Sequence, residues 1–350
     1  MSFNQYTWDL YKQTTIGIEM IKYFSDAGGY VSFKDYCPYA NFIPEDLYND
    51  WLENIYCYGV SDYDHPSSLE EAKDLYISLI TLGIRVEGQQ WLPANDFKNM
   101  LGIIQPMSYV LSQFAPEYFF PYLFLCRIFE LNKIADFFNI DLPNIPKRTD
   151  YKGRCMYYWE LCEVFYLFRK ENGLSPADLW SFLYDFAPNN LPSEKIDMPK
   201  PSQVWFIGGR LYQEDKSLES KFWQSSPETK KGDILVHYET SPISAITCIE
   251  ISLTDGVIDP LFRYYGCIYI GNRINIPHIT LKELQTDEYF FKHPLVRKNF
   301  QGVNGWSVNS ENYSELLRMI KTKGFDIEVL PKLYAPTLPK DVIIEYEHDV

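Results

Sequence analysis

Across residues 189–201 the hydrophobic period of this 350-residue chain changes from helical to strand-like, and the change divides the fold in two. The segment itself, Asn189-Asn190-Leu191-Pro192-Ser193 followed by Pro199 and Pro201, has the composition of a linker. Before it, apolar residues at helical spacing predict helices over residues 8–24, 44–58, 67–82, 116–138 and 154–171. The 116–138 stretch is apolar nearly all round and reads as the central buried helix. Ser175-Pro176-Ala177-Asp178 sets a cap, a first-turn proline and an acidic third residue in register, starting a helix that runs to about Phe186 and is closed by Pro188. After the linker, strands are expected over residues 204–207, 234–238, 245–253 and 263–270, with a helix over 311–323 that ends at Gly324. The fold class is therefore α+β: an all-α domain over 1–190, a small β-rich domain over 202–324, and a tail over 325–350 in which residues 342–346 read as one more strand.

Aromatic residues make up 17% of the chain, with 28 Tyr and 23 Phe, enough to fill a large core. Residues 1–15 lack the apolar segment of a secretory signal, and the apolar run over 118–129 is too short to span a bilayer, so a cytoplasmic protein is expected. Seven cysteines without a CxxC pair read as reduced structural thiols, and Cys155 and Cys162, seven apart, make a weak metal pair. The net charge of −15 is unevenly spread: residues 1–201 carry −11, residues 325–350 carry −4, and residues 202–324 are neutral. A neutral domain can still present a basic face, whereas strong nonspecific duplex binding by the whole chain is not expected.

Catalytic chemistry finds little support. The five histidines have no ligand spacing, and His237 alternates with Val236 and Tyr238 on a strand, where a structural histidine is the default. Asp255 and Asp259 flank a Gly256 turn. No nucleophile is paired with a base and no carboxylate set suits a metal, so the reading is non-catalytic, with no cofactor and no metal. The aromatic stripes at Tyr157, Tyr158, Trp159 and Tyr166, and from Leu179 to Phe186, read as core, and the acidic helical domain offers a surface to a protein partner.

The stretch from Gln203 to Tyr238 carries the most specific pattern: VWFIGG, then FWQSSPETKKGD, then ILVHYET. Trp205 on a first strand, Trp223 in a connection, a Lys231-Gly232-Asp233 turn, a strand ending in Tyr238, and then Ser244-Ala245-Ile246 together resemble the EVE domain of the PUA-like superfamily, which is related to the YTH and ASCH domains. The resemblance covers about residues 202–324, a third of the chain. It departs at Gly208-Gly209, where an Asn-Pro step is usual, and at Gln224-Ser225-Ser226-Pro227, which replaces an Arg-Asn run.

What the resemblance implies is a small β-barrel whose cleft accepts a flipped, often modified, nucleobase, and a loose link to bacterial defence systems that sense foreign or modified DNA. An extruded base needs flat aromatic walls and a few fixed hydrogen bonds to its edge. On that expectation Trp205 and Trp223 are the walls, Tyr238 or Trp306 completes a cage, and Gln224, Ser225 and Ser226 read polar edges. Arg297 and Lys298, in the basic segment 292–302, are the expected phosphate contacts. Trp205 is equally well explained as core. Two other readings stay open: a protein-interaction scaffold whose cleft is filled by its own side chains, and a small-molecule or nucleotide sensor using the same aromatic cleft.

Overall fold

The computed structural model describes residues 3–25, 60, 63–86, 89–124, 127–192, 198–209 and 220–334. The helix expected over 44–58 and the strand over 342–346 lie outside them. The chain divides into two units, Met1–Glu194 with Asp259–Tyr265, and Lys195–Ile258 with Gly266–Val350. Among the described residues no helix is long and apolar enough to cross a membrane.

The first unit is mainly helical. The helix expected over 8–24 is two, Gln5–Tyr11 and Thr15–Ser25, because the Thr14 hydroxyl accepts the Gly17 N–H and caps a second start. Helix Leu69–Leu82 begins at Ser68, whose hydroxyl accepts from Glu71 N, and stops at Gly83. Ser175 and Asp178 form the reciprocal capping box read from the sequence. The helix that follows widens into a π turn over Phe182–Phe186 and continues through Pro188 to Asn190, rather than ending at the proline. Pro188 falls in the first turn of the Ala187–Asn190 segment, where no N–H is required.

The predicted helix over 116–138 is corrected: only Ile128–Phe138 is helical. Pro121 lacks an N–H and pushes the residue before it out of the helical region. Residues 119–124 are instead a buried irregular strand of chain whose backbone is bonded by side chains. Ser108 Oγ accepts from Tyr122 N at 2.8 Å, the Tyr158 hydroxyl donates to Phe120 O at 2.7 Å, and the Tyr184 hydroxyl donates to Pro121 O. In the same unit the guanidinium of buried Arg154 donates to the carbonyls of Arg148, Pro260 and Phe262. A short hairpin, β1 (Ile84–Val86) with β2 (Gln89–Leu92), is also present.

The second unit is built on one sheet: β3 (Val204–Gly209), β4 (Ser220–Gln224), β5 (Ile234–Glu239), β6 (Ala245–Ser252), β7 (Val257–Ile258), β8 (Gly266–Thr280) and β9 (Trp306–Val308). The order is β4-β8-β6-β5-β3-β9, with β7 also on β8; every pairing is antiparallel except β3 with β5. The expected strand over 263–270 begins later, because Tyr265 takes a left-handed φ of 77° that breaks the extended chain. It also runs on to Thr280, pairing with β6 across two bulges.

The sheet curls into a half-barrel. Trp223 of β4 lies against Gly209 of β3, and Gly305, beside β9, lies against Ser226: an added Cβ would meet Trp223 Cζ2 at 2.5 Å and Ser226 N at 2.4 Å. The outer face carries the main core, in which Val204, Phe206, Ile234, Val236, Ile249 and Ile279 pack with residues of helices Leu281–Thr286, Pro294–Arg297 and Ser310–Thr322. The inner face carries a smaller cluster of Trp205, Ile207, Leu235, Ile268 and Ile270, with Trp223 packed on it.

Candidate functional site

The Lys231-Gly232-Asp233 turn sets one end of the inner face. Gly232 has φ 92° and lies against Pro199 O, where a Cβ would approach to 2.5 Å, so a side chain has no place there. The turn aims the buried Asp233 carboxylate at four donors: Trp205 Nε1 (2.9 Å), Ser202 Oγ (3.0 Å), Gln203 N (3.1 Å) and Lys230 N (2.9 Å). Trp205, 5% exposed, is therefore held edge and face, and its only polar atom is satisfied within the chain.

The other end is polar. In the parallel register Ile207 faces His237 and Gly209 faces Glu239. Trp223, half-buried, lies over Gly209 and meets the His237 ring edge to face, with centroids 4.8 Å apart. His237 is fully buried; its Nδ1 lies 3.1 Å from Glu250 Oε2, and Arg273 donates through Nε (2.8 Å) and Nη2 (2.7 Å) to Glu250 Oε1. Burial alone would raise the Glu250 carboxyl, but its interactions with His237 and then with Arg273 outweigh it and hold it below the usual carboxylate range. A carboxylate is acceptor-only, so in the neutral ring the proton sits on Nδ1 and Nε2 is an acceptor. Two polar atoms at this end are buried with no hydrogen-bond partner among the described residues: His237 Nε2 and the Trp223 Nε1–H.

His237, Cys248 and Glu250 also bring ligating atoms within 4.8 Å of one another, a set of the type that holds zinc. Burial, reinforced by Glu250, pushes the Cys248 thiol up to about 12, and both carboxylate oxygens are already engaged by protein donors. The trio is thus balanced by Arg273 and behaves as a buried ion-pair network.

Of the residues singled out in the sequence, the fold brings Trp205 and Trp223 together on the inner face. Trp223 lies on a strand rather than in a connection. Tyr238 and Trp306 belong to the outer face: Tyr238 stacks on Phe300 at 4.0 Å and 3°, and Trp306 pairs with Phe206 of β3. Ser225 is buried and shares a hydrogen bond with Thr229, the Ser226 hydroxyl accepts from Glu228 N, and Gln224 ends β4 opposite Cys267. Arg297 and Lys298 are exposed at the end of helix Pro294–Arg297, whose Leu295 and Val296 anchor in the outer core. The polar end was not read from the sequence, although a signal existed: Glu250 is a charged residue inside the apolar run Ala245–Ser252 and requires a partner.

No family model matches the chain, and no curated protein matches it. Two solved structures are similar to part of it. The NMR structure of Rpa0253 from Rhodopseudomonas palustris shares 14% identity with a TM-score of 0.30, over 34% of this chain and 94% of that one. The structure of a hypothetical protein from Leishmania major shares 11% with a TM-score of 0.29, over 35% and 98%.

Proposed function

We propose that this is a non-catalytic nucleic-acid-binding protein whose curled-sheet unit is an EVE-type, PUA-like domain that holds a flipped, modified base against the inner face. The observation that carries the reading is Trp223: a half-buried indole on the inner face of the half-barrel, beside His237, with a buried N–H that no described residue satisfies. Trp205, tied to Asp233, is the floor of the site and Trp223 its wall. A stacked base contributes roughly 1–3 kcal/mol. Arg297 and Lys298 remain the phosphate contacts of this proposal as exposed cations on the same unit. The acidic helical unit is assigned to a protein partner.

The test is fluorescence anisotropy of the full chain with short labelled oligonucleotides carrying plain, cytosine-modified and adenine-modified bases at fixed low salt. The expected result is an affinity that depends on the base and falls about tenfold or more in Trp223→Ala, consistent with loss of one stack. No binding across the panel overturns the reading. It would favour the scaffold alternative, which Trp205 supports by filling its end of the inner face with its own ring.

A further inference from the structure

We propose that Trp223 Nε1 and His237 Nε2 form a paired donor and acceptor that select a planar heterocycle presenting an acceptor and an N–H side by side, the edge of a lactam or an aminated ring nitrogen. The inference rests on the base-holding reading and adds what that site recognises.

Buried polar side-chain atoms are almost always hydrogen-bonded, and an orphan calls for an explanation. Here two orphans belong to rings in edge-to-face contact, 4.8 Å between centroids. Indole nitrogen is a donor only. Glu250, held in turn by Arg273, can only accept, so Nδ1 is the His237 donor to it and a ring carrying a single proton presents Nε2 as an acceptor. One donor and one acceptor on adjacent rings match the hydrogen-bonding edge of a nucleobase, where an acceptor and an N–H sit on neighbouring atoms. An anion, a simple amine or an apolar ligand satisfies at most one of the two.

The entry route is also set by the chain. The six-membered ring of the indole lies over Gly209, where an added Cβ would meet Cζ2, Cη2 and Cε2, and the indole packs edge to face against His237. His237 is fully buried, so a ligand that reaches both atoms has to displace the indole from Gly209; among the described residues no hydrogen bond to Nε1 opposes that, and Glu250, held by Arg273, keeps the His237 ring in place.

The test uses the full chain and short single-stranded oligonucleotides with one central thymine or adenine, each compared with the same strand carrying N3-methylthymine or N6,N6-dimethyladenine, which keep the ring but remove the N–H. Trp223→Phe keeps the stack and removes only the indole donor. The expected results are binding roughly tenfold weaker to the blocked edges, the worth of one hydrogen bond. A similar loss is expected for Trp223→Phe on the open edges, with no further loss on the blocked ones. Equal binding of open and blocked edges overturns the proposal on the parent protein alone, whatever the variant's folding. Base binding that Trp223→Phe leaves unchanged also overturns it and leaves the base-holding reading standing. No binding of any strand overturns both.

Discussion

Replacing Asp233 by alanine removes the acceptor for four donors at once, and the cost follows from how each is buried. Trp205 Nε1 is inside the sheet and has no other partner among the described residues, so leaving it unpaired costs about 1–3 kcal/mol. Gln203 N and Lys230 N are part-buried and recover some water, at about 0.5–1 kcal/mol each, and the Ser202 hydroxyl can turn. The sum is roughly 2–5 kcal/mol, a large share of the 5–15 kcal/mol that separates a typical folded domain from its unfolded chain. Urea unfolding followed by Trp fluorescence measures it. Trp205→Phe, which deletes one of the four bonds, should cost less, and the double variant should fall short of additivity by about 1–2 kcal/mol, the coupling of the Trp205–Asp233 bond. If Asp233→Ala lies within about 1 kcal/mol of the parent, or the pair is additive, Asp233 is not the hub that fixes Trp205, and the division between an anchored floor and a free wall fails.

Two further outcomes follow from contacts elsewhere in the sheet unit. Gly209→Ala places a Cβ 2.5 Å from Trp223 Cζ2, so the indole must shift; a loss of about 1–3 kcal/mol is expected in the same unfolding assay, relieved when Trp223→Ala is added. Glu283 caps helix Leu281–Thr286 through Thr280 and pairs with Lys323; burial would raise its carboxyl, but those bonds hold it at about 2, below the ordinary 4.5. A depressed carboxyl contributes stability that is complete above pH 4.5 and is lost as pH falls toward 2, so the drop in melting temperature across that window should be smaller in Glu283→Gln.

What could be read in advance was what local chemistry decides. Ser68, Ser175 and Asp178 announce their helix starts because capping is settled within four residues, and the Gly232 turn is settled by one φ. Pro121 was equally visible and predicts the break in the 116–138 stretch, but the apolar composition around it concealed that a buried irregular segment can be bonded by Ser108, Tyr158 and Tyr184 from distant helices. The inner face was half legible. Trp205 and Trp223 follow from pattern, whereas the sorting of Tyr238 and Trp306 to the outer face depends on strand order and on the curl that returns β4 to Gly209. Pairing of His237 with Glu250 and Arg273 needs the bulged registers of β5, β6 and β8, which no period-two pattern specifies.

The claim that Trp223 is the wall and Trp205 the floor is tested most directly by the indole N–H resonances of the full chain, assigned with Trp223→Phe, Trp205→Phe and Trp306→Phe and followed while a thymine- or adenine-bearing oligonucleotide is added. The account predicts that the Trp223 indole signal shifts strongly as its unpartnered N–H gains an acceptor, while the Trp205 signal, bound to Asp233, holds its position. A Trp223 signal that stays fixed while the oligonucleotide binds, or a shift confined to Trp306 on the outer face, would contradict it.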